Sequence, residues 1–328
     1  MATGARPRSR GPSGQARQRI ALAVSLSLAG APAPAAETGN LPQLSARALA
    51  LVNDARQMQG LSELRLGSEL NEAAQAHATD MLERKYYAHT SPEGNTVADR
   101  YRDAGGKRWR LTAENIARCS GCPTPLDLAQ VERLHEGWMN SPLHRENILR
   151  RGLDRFGFGI AAETNGALYA VQTFAGPGLP RGLQPGETAE PLGAPERRTL
   201  ALQAINRARE QAGRPALAAS EALHRAAEKL LPDRSSGDLS LERAGGLLSA
   251  LPEGERGAWR SVSAVAGACG GCGADPTGAD VRAFRDQWMD DPGHREALLS
   301  PAASHLGFAL EANGEGRKTA VAVLGTRR

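Results

Sequence analysis

The sequence predicts an α+β fold built twice in tandem, and three observations carry that prediction. Trp138-Met139-Asn140-Ser141-Pro142-Leu143-His144-Arg145-Glu146 returns 150 residues later as Trp288-Met289-Asp290-Asp291-Pro292-Gly293-His294-Arg295-Glu296. The same offset carries Cys119-Ser120-Gly121-Cys122 onto Cys269-Gly270-Gly271-Cys272 and Gly157-Phe158 onto Gly307-Phe308. Trp, Cys, His and Phe are scarce here, so one shared offset marks a duplicated domain. The first copy opens with segments of helical period and closes on a hairpin pattern, the order expected of an α+β domain. Finally, 328 residues suit about two domains.

The elements follow in order. Residues 1–36 read as a leader: Arg17-Gln18-Arg19 precedes the apolar run Ile20 to Ala29, and Ala31-Pro32-Ala33 and Pro34-Ala35-Ala36 supply small-residue cleavage sites. The run is short for a spanning helix, and no later stretch is long and apolar enough. The first domain is expected over 44–175. Leu44 to Gln59 has helical spacing with Leu49, Val52 and Ala55 on one face, and stops before Gly60. Leu70, Ala73, Ala74, His77 and Met81 mark a second amphipathic helix with Ser68 as its N-cap. Ser91-Pro92-Glu93-Gly94 is a turn by residue type, and Val97 to Ala104 resumes the helical period. Leu126 to Asn140 is a further helix, with Leu128, Val131, Leu134 and Trp138 along one side. Phe156 to Ile160 and Leu168 to Phe174 are strand-like, joined through a hairpin turn at Asn165-Gly166. Residues 176–195, rich in Gly and Pro, read as a linker, and 196–325 as the second domain.

Charge and cysteine usage narrow the function class. The formal net charge is +4, but five arginines lie in the leader, ahead of the first acidic residue, so the remainder carries −1. With no polybasic stripe in that remainder, nucleic acid is not the expected partner. Aromatic residues make up only 4% of the chain, so the cores must rest on Leu, Ala, Val and Ile. The leader points to export, to a periplasm or the cell exterior. In an oxidising compartment the pairs Cys119/Cys122 and Cys269/Cys272 are expected to close as local disulfides that hold loop shape. A shared zinc site or redox chemistry is the alternative.

Five segments of the first copy, taken together and in order, carry a resemblance. They are Asn53-Asp54-Ala55-Arg56, His89-Thr90-Ser91-Pro92, Glu114-Asn115-Ile116-Ala117, Trp138 through Leu149, and the Gly157-Phe158-Gly159 hairpin. The set resembles the CAP superfamily (cysteine-rich secretory proteins, antigen 5 and plant pathogenesis-related proteins) in its bacterial form. The second copy is similar through its ends and through Trp288 to Leu299. The resemblance implies two α-β-α sandwiches, each with a small antiparallel sheet between helices. It also implies a cleft where two histidines and one or two acidic residues meet, for which a divalent metal has been proposed. Carried onto this chain, those positions are His89, Glu114 and His144.

Two imidazoles and a carboxylate are a ligand set that zinc accepts, and they leave an open position. The same groups could serve as general acid and base. Each also has a plainer reading. His144 sits in a helix-terminating segment and could bond a backbone carbonyl. His89 could be a turn histidine bonded to Ser91. Glu114 could be a helix N-terminal carboxylate or an ion partner of Arg118 or Arg145. The family's second acid has no counterpart directly after Trp138; Glu132 and Glu136 precede it, with Glu132 nearer the apolar face.

In the second copy the repeat offset puts Ala264 in place of Glu114, and the flanking residues put Pro232 in place of His89, so only His294 remains. The second domain is therefore expected to be a scaffold or binding surface. Three functions stay open for the whole. The first is a non-enzymatic extracellular module binding a hydrophobic ligand, an envelope component or a partner protein. The second is a metal-dependent hydrolase of peptides or esters using His89, Glu114 and His144, although no G-x-S-x-G or H-E-x-x-H motif occurs. The third is a structural envelope protein with a vestigial cleft.

Overall fold

The computed structural model describes residues 40–164, 166–231 and 246–328. The leader 1–36, the turn residue Asn165 and Pro232 lie outside the described residues. In the first copy, helix α1 (Leu41–Gln57) leads to a short strand β1 (Arg65–Leu66) and helix α2 (Ser68–Glu83). Helix α3 (Val97–Asp103), strand β2 (Leu111–Cys119), and helices α4 (Leu128–Asn140) and α5 (Pro142–Ile148) follow. Strands β3 (Arg155–Ala162) and β4 (Leu168–Gly176) close the copy. The sheet order is β1-β3-β4-β2, antiparallel except for the two-residue β1, which runs parallel to β3.

The sheet is buried on both faces. Phe156, Phe158 and Ile160 of β3 join Leu44, Ala48 and Val52 of α1 and Val131 and Trp138 of α4 in one core. Ile116, Val171 and Tyr169 face the other way, toward Ala74, Ala78 and Met81 of α2. The alternation in Phe156-Gly157-Phe158-Gly159 fits this split. A Cβ at Gly157 would overlap the backbone of Leu70, and one at Gly159 the backbone of Ala74, so the glycines let α2 lie directly on the strand. The result is the three-layer α-β-α arrangement.

Several local expectations change. Ser68 is the first helical residue and not the N-cap, a place taken by Gly67 in extended conformation. Leu128 points outward and is 47% exposed, because α4 starts there after the capping box of Asp127 and Gln130. The segment after Asn140 does not merely terminate a helix. Pro142 opens α5 at its first turn, where its missing N–H costs nothing. The largest omission is β2, the edge strand that carries the buried Glu114, so this carboxylate is not a helix N-terminal one.

The second copy repeats the plan. Helix α6 (Ala194–Gln211), β5 (Ala218–Ala219), α7 (Glu221–Leu230), a short α8 (Leu247–Ala250) and a 3-10 turn over Glu253–Ala258 lead into β6 (Trp259–Cys269). Helices α9 (Gly278–Asp290) and α10 (Pro292–Leu298) and strands β7 (His305–Ala312) and β8 (Lys318–Arg327) complete it, with sheet order β5-β7-β8-β6. Cys119 is bonded to Cys122, and Cys269 to Cys272. Among the described residues no helix is long and apolar enough to cross a membrane.

The Gly/Pro-rich segment after β4 runs as a strap along the second copy. Gly273 N–H donates to Pro177 O at 2.7 Å, Leu192 N–H to Pro276 O at 2.9 Å, and Arg282 grips Glu187. The first copy also reaches across directly. Gly271 N–H donates to Trp109 O at 2.8 Å, the Arg317 guanidinium lies 4.8 Å from the Trp109 ring, and Arg110 joins Asp154 to Glu315. The second cysteine loop is thus covered by the first domain, whereas Ser120 and Gly121 of the first loop are exposed.

Candidate functional site

The site forms around the free edge of β2, where α2, α3 and the loop between them meet the strand. Glu114 is 5% exposed. Its Oε1 lies 2.9 Å from His89 Nδ1 and 3.9 Å from His77 Nε2, and its Oε2 accepts from Arg100 Nη2 at 2.6 Å. Arg100 also donates to the carbonyls of His89 (3.0 Å) and Asn95 (2.8 Å), so one guanidinium fixes the carboxylate and the loop that bears His89. His77 adds a second tie. Its Nε2 lies 3.0 Å from Ala88 O, an acceptor only, which places the proton on that nitrogen. Its Nδ1 lies 3.4 Å from Tyr86 OH, and Tyr86 donates to Asp80.

The opposite side of β2 is equally polar. Asn115 donates to His144 O (3.1 Å) and Gln172 Oε1 (3.1 Å), and Asn147 donates to Glu114 O (3.1 Å) and Asn115 Oδ1 (3.0 Å). These bonds pin the first turn of α5, and with it His144, to the strand edge. The structure therefore brings His89 and Glu114 into direct contact and ties the backbone of His144 to the same strand. Glu132 is not drawn in: its carboxylate accepts two bonds from Arg47 across the α1–α4 contact. Arg118 lies over the Tyr87 ring instead of pairing with Glu114. His77, Arg100, Asn115, Asn147 and Gln172 escaped the sequence reading of the site. Three left a signal: His77 as the one polar residue on the buried stripe of α2, and Asn115 and Asn147 by lying within the segments that carry the resemblance.

The cleft does not present a ready metal site. Glu114 has one oxygen on an imidazole and the other on a guanidinium, and the ring nitrogen of His77 nearest to it is committed to Ala88. What remains open is His89 Nε2 and the His144 ring. Among the described residues no three His, Cys, Asp or Glu side chains form a ligand group. A cation bound by Glu114 would have to displace His89 from one oxygen or Arg100 from the other.

The second copy shows what the fold requires without a site. Glu114 pairs with Thr173 in register, and Ala264 pairs with Val323, which fixes the strand equivalence. Gly157 packs on Leu70 as Gly307 packs on Leu223, and Phe158 N–H is bonded by Asn71 as Phe308 N–H is by His224. His77 therefore corresponds to Leu230. At the remaining positions Asn115, Asn147, Gln172 and Thr173 correspond to Val265, Ala297, Ala322 and Val323. Buried His77, Glu114, Asn115 and Gln172, half-buried Asn147, and Thr173, which donates to Leu70 O, have all become aliphatic. By contrast, Asn53 and Arg56, part of the sequence resemblance, recur as Asn206 and Arg209 with the same bonds, so they serve the fold.

Burial makes the molecule acid-sensitive. His77, His135, His144, His224 and His305 all have their pKa lowered, in each case first by burial; for His77 this outweighs the pull of Glu114 and Asp80. A lowered folded-state pKa means that the unfolded chain takes up protons first, below about 6.5. The stability is therefore complete above that value and falls as pH drops through the folded-state pKa values. The urea midpoint should be lower at about pH 5 than at about pH 7.5, and His77→Leu should narrow the gap. Equal midpoints at the two pH values would contradict the lowering of these pKa values in the folded chain.

Comparison with known proteins agrees with this architecture. An uncharacterized Bacillus subtilis protein, YkwD, is 32% identical over 126 residues, which cover 38% of this chain and 45% of that protein. A B. subtilis membrane protein, YlbC, is 30% identical over 112 residues, covering 34% of this chain and 30% of that protein. The chain thus spans less than half the length of either relative. Among solved structures, an extracellular SCP-domain protein from Bacillus anthracis is 26% identical with a TM-score of 0.34, covering 40% of each chain. An outer surface protein from Borrelia burgdorferi is 20% identical with a TM-score of 0.37, covering 44% of this chain and 98% of its own. The model of the cysteine-rich secretory protein family matches residues 49–174 and again 202–324, well over half the sequence, and the chain belongs to this CAP family, twice over.

Proposed function

We propose that this is an exported, non-enzymatic CAP protein whose first domain binds an apolar or amphiphilic component of the cell envelope at the β2 edge. The second domain is its scaffold. One observation carries the reading: the second copy builds the same sheet and helices with aliphatic residues where the first keeps His77, Glu114, Asn115, Asn147, Gln172 and Thr173. Buried polar groups demand partners and contribute little net stability. A network the fold can do without is supported by what it positions, namely His89 and His144 at the strand edge. Tyr87, 43% exposed with its hydroxyl on Ile116 O, offers an apolar ring at that edge, and Leu143, 76% exposed, precedes His144 in α5. Metal-dependent hydrolysis by His89, Glu114 and His144 draws less support, because both Glu114 oxygens are already engaged.

The test is solvent extraction of the purified full chain, with bound amphiphiles identified by mass spectrometry. Tyr87→Ser combined with Leu143→Ser should lower retention about tenfold or more, given ~1.5 kcal/mol or more per buried apolar side chain. His294→Ala, in the second domain, should leave it unchanged. Retention unaffected by the double change, or by His89→Ala, would place binding away from this edge.

A further inference from the structure

We infer that Arg100 occupies the cation position of the Glu114 carboxylate and so keeps the cleft free of metal. The geometry is specific. Arg100 Nη2 stands 2.6 Å from Glu114 Oε2, and the guanidinium is anchored from behind by the carbonyls of His89 and Asn95. Its side chain is only 11% exposed and that of Glu114 2%, so solvent screens the pair weakly. A guanidinium is charged at every working pH and leaves a carboxylate only if something stronger replaces it. His89 turns its Nδ1 to the other oxygen, which leaves the cleft two imidazoles and no free anionic ligand. Structural zinc sites use four protein ligands and catalytic ones three. Two neutral imidazoles fall short of either.

Arg100 thus does with a fixed side chain what a divalent ion would otherwise do, neutralising Glu114 and holding His89 in place. The inference is independent of what the cleft binds, since it concerns only the partner of the carboxylate. Its test reads metal directly and its failure leaves amphiphile retention untouched.

The full chain, stripped with chelator, is titrated with zinc against a chromophoric competitor, and folding is checked by circular dichroism. The native chain should show no stoichiometric site with a dissociation constant below about 1 μM. Arg100→Gln, which keeps a hydrogen-bond donor but no charge, should gain a site at least about tenfold tighter than any native binding. Adding His89→Ala should abolish it. Arg100→Lys retains the charge and should stay metal-free. Stoichiometric zinc on the native chain that disappears in His89→Ala would overturn the inference. So would a folded Arg100→Gln chain as metal-free as the native one, or tight zinc on Arg100→Lys.

Discussion

Arg56→Met is expected to destabilise the first domain by at least ~3 kcal/mol, with little change in the second. Arg56 is 1% exposed at the end of α1, and its guanidinium gathers three carbonyls: Ser62 (2.9 Å), Ile148 (2.9 Å) and Arg150 (2.9 Å). Ser62 lies in the loop after α1, whereas Ile148 and Arg150, at the end of α5 and just beyond it, stand 92 and 94 residues from Arg56 in sequence. Methionine fills the volume but donates nothing, so each carbonyl is stranded at about 1–3 kcal/mol. The repeat offers an internal replicate. Arg209 donates to Pro215, Leu298, Ser300 and Ala303 in the second domain, and Arg209→Met should produce the mirror result. Hydrogen exchange read by mass spectrometry follows each domain separately. Loss of protection confined to the mutated domain is the expected pattern; a loss below ~1 kcal/mol would mean that water replaces the guanidinium freely.

This clamp also shows what was legible in the sequence. Asn53-Asp54-Ala55-Arg56 stood out as one of five segments in register, but nothing in its spacing distinguished a structural lock from a site. The answer lay in the second copy, where Asn206 and Arg209 persist while Leu230, Ala264 and Val265 replace His77, Glu114 and Asn115. The repeat, the helices of the first copy and the β3–β4 hairpin were readable because each follows a period or a repeat of scarce residues. Strand β2 was not, for a physical reason. Both its faces are buried, and its polar residues serve two networks: Glu114 toward α2, Asn115 toward α5. A strand so used has no alternation of apolar and polar residues to reveal it. Arg100 was invisible for a related reason: an arginine in a short, polar helix reads as a solvated one until the carboxylate it meets is known. Pro142 misled in the ordinary way, marking the start of α5 as readily as the end of α4.

Glu114→Ala tests whether carboxylate and guanidinium form one unit. The change leaves Arg100 still tied to the carbonyls of His89 and Asn95 but facing a void where its counter-ion stood. Breaking a buried pair from one side costs about 3–5 kcal/mol. We expect about 3 kcal/mol, the lower end, because Arg100 retains a path to solvent. Alanine itself is no obstacle at this position, as Ala264 sits at the same register in the second sheet. There the surroundings have changed with it, Leu230 standing where His77 would be. The cost of Glu114→Ala therefore belongs to the groups left behind. Arg100→Met added to Glu114→Ala should recover a large part of the loss, giving a coupling of about 1–3 kcal/mol in a double-mutant cycle read by urea unfolding of the first domain. Strict additivity would mean that the two side chains act separately, and a Glu114→Ala chain as stable as the native one would mean that Arg100 needs no anion. Either result would remove the ion pair from the explanation of how His89 is held. A strong coupling would identify the pair as the element that makes the first copy's edge a fixed polar surface, where the second copy has aliphatic residues at the matching positions of His77, Glu114 and Asn115.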